Sequence, residues 1–156
     1  MTIEAAGISH MGICVRDLEK SLKFYRDILG MKVTRQETQD MQRHFGDRQA
    51  QVYQKRRQTR QAAHLHWGGT NTYLVLSSHP DAPVEGQAPK LDQVGIHHIC
   101  FTVKDPTSLA KHLIANGVKL AGSLESYTNA QGKVRVFYCF DPDGILVQFD
   151  DGTATG

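Results

Sequence analysis

The sequence predicts an α+β fold of two βαβββ modules forming a cupped mixed sheet with helices on the outer face, and three observations predict it. Gly7-Ile8-Ser9-His10 recurs as Gly95-Ile96-His97-His98, each time opening an apolar run that alternates like a strand. Asp17 opens a helical stretch that ends in Gly30-Met31-Lys32-Val33, and Asp105 opens one that ends in Gly117-Val118-Lys119-Leu120. Residues 79–94, which hold Pro80, Pro83, Gly86 and Pro89, read as a linker between the copies. The modules are therefore expected at 1–78 and 95–151, with 152–156 as a frayed tail.

In the first module, 8–15 alternates as a strand. From Asp17, an expected N-cap, Leu18, Leu22, Tyr25, Ile28 and Leu29 follow helical spacing, and Gly30 stops the helix. A strand is expected at 31–37. The polar stretch 38–61 has little pattern beyond a short strand at 50–53, and its length suggests a lid or a disordered tip. Strands at 62–67 and 72–77 flank Gly68-Gly69-Thr70-Asn71, a hairpin signal. The second module repeats the order: a strand at 96–103, a helix from Pro106 to Asn116, then strands at 118–123, 134–140 and 145–150.

Helices on one face of a sheet leave the other face free to form a cup, and alternation assigns residues to each. His10 lies opposite Met11, Ile13 and Val15. His98, Cys100 and Thr102 lie opposite His97, Ile99, Phe101 and Val103, so His98 points into the cup and His97 does not. Leu146, Gln148 and Asp150 share a face, which makes Gln148 the third polar group beside two histidines. Two imidazoles at matched positions of a repeat suggest one shared metal site. His64 and His66 alternate with Leu65 and Trp67 and reach the cup or its rim, where an imidazole can serve as general acid or base. Tyr73 shares its face with Val75 and is a candidate to orient a substrate carbonyl. Exposed strand polars are the plain alternative for the histidines, and filling of the cup for Tyr73. Val75 and Cys100 are expected to touch substrate, and Tyr127 and Arg135 to reach an anionic group.

At 156 residues, 40% hydrophobic and 22% charged, the chain has an ordinary globular composition. It has neither an apolar run of membrane-spanning length nor a signal-peptide pattern, and a cytoplasmic protein is expected. Cys14, Cys100 and Cys139 lack metal-type spacing and are expected to be buried thiols. The net charge of +2 is uneven: 31–70 carries eight Lys or Arg against three acids. The basic segment, densest over 43–60, reads as a solvated loop or as a flap over a cavity for an anionic substrate. Nucleic acid is not expected, since aromatics are not interleaved with the charges.

The run from Ile8 to Leu18 (Ile-Ser-His-Met-Gly-Ile-Cys-Val-Arg-Asp-Leu), with Phe24-Tyr25 and Leu29-Gly30, resembles the opening of the vicinal oxygen chelate superfamily. That superfamily includes glyoxalase I, methylmalonyl-CoA epimerase, fosfomycin resistance proteins, extradiol dioxygenases and bleomycin-binding proteins. Gly95 to Phe101 and the run from Asp141 to Phe149 resemble its second-module strand and its closing strand. The resemblance implies metal ligands on the first and last strands of each module. His10 and His98 match; the fourth-strand position falls on Val75, and the closing position, usually glutamate, on Gln148. It implies a divalent metal (iron, zinc, nickel or manganese) on His10, His98 and Gln148, with Asp150 as a replacement ligand or a hydrogen-bond partner. The implied function is a lyase, isomerase or oxygenase acting on a small molecule with vicinal oxygens. The alternative is a metal-free protein that sequesters an aromatic natural product or antibiotic. Glyoxalase I and methylmalonyl-CoA epimerase themselves are disfavoured by the changes at these ligand positions. A homodimer is also implied.

Overall fold

A computed structural model describes Glu4 and residues 6–153. Residues 154–156 of the expected tail and residues 1–3 and 5 of the expected first module lie outside the described residues. The chain divides into two compact units, one running up to Glu85 and the other starting at Gly86.

In the first unit, β1 (His10–Cys14) leads to α1 (Leu18–Leu22), and the Asp17 carboxylate caps α1 by accepting from the Lys20 amide at 3.0 Å. The helix then widens into a π-helical turn, Lys23–Ile28, which plain 3.6-residue spacing does not foretell. Phe24 and Tyr25 are both buried there, edge to face at 4.8 Å. Gly30 has φ of +75°, and Gly117 at the matched place in the other unit has +76°. The two glycines release the chain from its helix in the same left-handed conformation, which a side chain would oppose.

β2 (Lys32–Asp40), β3 (Thr59–His66) and β4 (Tyr73–Ser78) complete a four-stranded sheet in the order β1-β4-β3-β2. β1 runs parallel to β4, and the other pairs are antiparallel. α1 packs on β3 and β4, and Ile13, Leu22, Tyr25, Leu65, Leu74 and Leu76 form the buried core. The strand expected at 50–53 is absent. Residues 41–52 form α2 (Met41–His44), a 3-10 turn (Gly46–Arg48) and α3 (Gln49–Val52). Asp40 caps α2 by accepting from the Arg43 amide at 2.8 Å, and the Met41 side chain is fully buried. The segment is thus folded rather than a disordered tip.

The second unit repeats the plan with β5 (His98–Thr102), α4 (Pro106–Ala115), α5 (Leu124–Tyr127), β6 (Val136–Phe140) and β7 (Leu146–Asp150). Asp105 caps α4, and Pro106 sits in its first turn. The sheet order is β5-β7-β6, with β5 parallel to β7. The strand expected at 118–123 is reduced to a single bridge, Leu120 to Cys139. Gly122, at φ of +154°, and the Ser123 cap turn the chain into α5 instead. Both units are therefore βαβββ-like, with mixed sheets and the long helix on one face.

None of the three cysteines is in a disulfide, and only Cys139 is buried. Cys14 and Cys100 are exposed because each sits on an edge strand, on the face away from the helix. No described helix is long and apolar enough to cross a membrane.

Phe137 is fully buried and stacked on Phe149 at 5.1 Å. Phe137→Ala should lower stability in urea unfolding by about 3–5 kcal/mol, through lost burial and the cavity it leaves. A loss under about 1 kcal/mol would show that this stack does not anchor the second unit.

Candidate functional site

Sheet register assigns the cup residues of each unit. In the first, Gly12 on β1 is paired with Val75 on β4; in the second, Cys100 on β5 is paired with Gln148 on β7. His10 and His98 each lie two residues before the paired position on the first strand. Val75 and Gln148 are thus equivalent positions of the repeat, as the family resemblance implies. Val75 is 5% exposed and offers no donor atom, whereas Gln148 is half-buried with an amide.

The two matched histidines share a further feature. Nδ1 of His10 lies 3.1 Å from the Ser9 hydroxyl oxygen, and Nδ1 of His98 lies 2.7 Å from Nδ1 of His97. In each copy the preceding side chain engages Nδ1, and in the tautomer in which Nδ1 carries the proton and donates, Nε2 is the ring nitrogen open to a ligand. His97 does not stand on the opposite face of a strand, as alternation predicts. It precedes β5, and its ring stacks on His98 at 4.7 Å.

On the first unit, Tyr73 gathers three histidines. His10, His64 and His66 lie near-parallel to its ring at 5.1, 5.1 and 5.2 Å between centroids. The register produces this: His10 pairs with Tyr73 across β1 and β4, and His64 pairs with Val75 across β3 and β4. Burial holds the His64 imidazole below its ordinary range, and the Arg35 guanidinium pushes it further the same way. Both effects favour the neutral ring, the form that accepts a proton. Arg35 and Glu37 pair at 2.5 Å, Gln39 donates to Glu37 at 2.7 Å, and Arg60 donates to Gln39 at 2.9 Å.

On the second unit, His98, Cys100 and Gln148 share one face with Asp150, which is 2% exposed. The Cys100 thiol donates to Asp150 Oδ2 at 3.3 Å, and the Gly152 amide donates to Oδ1 at 3.0 Å. Shielding of the sulfur, and then the adjacent carboxylate, push the Cys100 thiol up to about 12. It stays protonated at neutral pH and is no nucleophile. Tyr127 lies on the helix side, where its ring meets Phe137 at 6.4 Å and its hydroxyl donates to the Ala121 carbonyl at 2.8 Å. Arg135 is tied to Asp151 at 3.2 Å and to the Thr153 hydroxyl. Neither is brought beside His98 or Gln148.

Among the described residues, no group of three or more His, Cys, Asp or Glu side chains is arranged to hold a metal ion. The expected ligand set is of another kind, two imidazoles and an amide oxygen. These donors fit a divalent ion chemically, although without a carboxylate they leave its charge uncompensated. A separate polar cleft of about 450 Å³, lined by Asp40, Gln42, Arg56, Arg57 and Gln58, includes none of the expected site residues.

The model of the Glyoxalase/Bleomycin resistance protein/Dioxygenase superfamily matches residues 7–149. The chain belongs to that superfamily. An ethylmalonyl-CoA/methylmalonyl-CoA epimerase of Cereibacter sphaeroides is 28% identical over 153 residues, covering 92% of this chain and 96% of its own. A glyoxalase family protein from Bacillus cereus superposes with a TM-score of 0.73 at 17% identity, over 94% of each chain. A mutant of the fosfomycin resistance protein FosX from Listeria monocytogenes, solved with Mn(II) and 1S,2S-dihydroxypropylphosphonic acid, has a TM-score of 0.57 at 18% identity, covering 97% of this chain and 96% of its own. These two structures share the fold. The superfamily fold binds small molecules, and some of its members hold a divalent metal.

Arg35, Glu37 and Arg60 lie on the His64 face and Ser9 contacts His10, and sequence patterning singled out none of them for the site. The pH titration of the His64 ring, followed by NMR, checks the placement of Arg35. His64 should titrate below the ordinary histidine value of 6.5, and Arg35→Gln should move it upward. An unchanged titration in that variant would remove Arg35 from the face.

Proposed function

We propose that the protein is a metal-dependent enzyme acting on a small molecule with two adjacent oxygens, with His10, His98 and Gln148 as ligands of a divalent iron, zinc, nickel or manganese ion. The observation that supports this most is the repeated Nδ1 contact, Ser9 with His10 and His97 with His98. Metal-binding histidines ordinarily donate the other ring N–H to an acceptor, and a contact at Nδ1 recurs in both copies although different residues make it. When bound, the ion would polarise the vicinal oxygen pair and acidify an adjacent C–H or a bound water.

The chain's own groups supply the proton chemistry. Gln148 stands where the superfamily usually has glutamate, and an amide neither takes a proton at neutral pH nor offsets the metal's charge. The base must come from elsewhere, and the neutral imidazole of His64 beside Tyr73 is the group suited to it. His66 and the Tyr73 hydroxyl are the remaining acid–base candidates of that face, while Val75 and Cys100 border the substrate. Among lyase, isomerase and oxygenase chemistry, isomerisation by proton transfer draws support from the epimerase relative and from this imidazole base. The working form is proposed to be a homodimer.

Metal analysis with calorimetry tests the reading. One divalent ion should bind for each His10, His98 and Gln148 set, and His10→Ala or His98→Ala should abolish or greatly weaken it. Ser9→Ala and His97→Ala should each cost about 10–100-fold in affinity. Gln148→Glu should tighten binding by restoring a negative ligand. No stoichiometric metal, or metal uptake unaffected by His10→Ala, would overturn the reading. Tight capture of an aromatic ligand without metal or turnover would then favour the sequestration alternative.

A further inference from the structure

β2 contains a bulge that changes which residues reach the histidine face. Lys32 pairs with His66 and Val33 with Leu65, but the next pair is Arg35 with His64, so Thr34 is the extra residue. Unbroken alternation would set Thr34 opposite His64 and send Arg35 to the helix side. The bulge instead places Lys32 and Arg35 opposite the two histidines. Downstream the register is regular, so Glu37 and Gln39 share this face with Arg60, Ala62, His64 and His66.

The face therefore carries three cations, Lys32, Arg35 and Arg60, against one carboxylate, Glu37. That carboxylate is already divided: Oε2 accepts from Arg35 and Oε1 from Gln39. Gln39 in turn accepts from Arg60 at 2.9 Å, so one continuous chain of hydrogen bonds holds both guanidinium groups. Each guanidinium spends few of its five N–H donors within this chain, and Arg35 is 62% exposed.

We propose that Arg35, supported by Arg60, forms the recognition site for a carboxylate group of the substrate, with Glu37 occupying it as an internal stand-in until substrate arrives. A planar carboxylate is the ligand chemistry that a guanidinium already holding a carboxylate is shaped to take. The net positive strip attracts it, and its seat opposite His64 sets the rest of the substrate beside the proposed base. This rests on the proposed function for its link to catalysis, but the binding event requires no metal.

The test uses the full chain freed of metal, with malonate as the probe, read by NMR shifts of the His64 and His66 rings. Malonate should bind saturably and perturb His64. Arg35→Gln should weaken binding by about tenfold or more. Glu37→Gln should strengthen it, because the internal competitor is gone. Arg56→Gln, in the separate polar cleft, should leave it unchanged. Absence of saturable binding, equal weakening by Arg56→Gln, or weakening by Glu37→Gln would overturn the proposal. Inorganic phosphate binding as tightly as malonate would also overturn it, since the site would then read charge and not carboxylate shape. Malonate binding in a protein that takes up no metal would sustain this site while rejecting the metal reading, and the reverse result would do the opposite.

Discussion

In each unit the first strand lies parallel beside the last, and the placement of the cup residues follows from that pairing. Parallel partners cannot be joined by a tight turn, so the helix and the other strands of the unit must be built between them. Hydrophobic burial then sets the register, because a slip of one residue would send Ile13, Leu74 and Leu76, or Ile99, Val147 and Phe149, to the solvent side. With the core fixed, the opposite face has no freedom. Gly12 must adjoin Val75, and Cys100 must adjoin Gln148.

On that common frame the two copies have diverged in chemistry. The first carries Val75, which has no donor atom, and surrounds Tyr73 with imidazoles, flanked by guanidinium groups on β2 and β3. The second carries an amide at Gln148 and buries its carboxylate, Asp150, against a thiol and a backbone amide. The result separates charge from proton transfer. Burial first, and then the Arg35 guanidinium, hold the His64 imidazole below its ordinary range, while Glu37 pulls the other way.

Much of this was legible in the sequence because a strand's period of two is blunt: His10, His98 and Gln148 could be assigned to a face from their neighbours alone. The Asp17 and Asp105 caps and the glycines at 30 and 117 were legible for the same reason, since each is a local requirement of a helix end. What escaped were features decided across the sheet. Nothing in Val33-Thr34-Arg35 announces a bulge, and so the strip of Arg35, Glu37 and Arg60 was invisible. The helices at 41–52 escaped because one buried Met41 and an aspartate cap give too short a pattern to find a period. Cys14 and Cys100 looked buried from their apolar neighbours, yet alternation puts both on the sheet face that no helix of their unit covers.

We propose that His10, His98 and Gln148 supply a metal with two imidazoles and an amide oxygen. X-ray absorption spectroscopy of the zinc-loaded chain tests it directly, because imidazole and sulfur neighbours scatter differently. The account predicts two imidazoles per ion, oxygen in the remaining positions and no sulfur. A sulfur neighbour at about 2.3 Å, or a single imidazole, would contradict it.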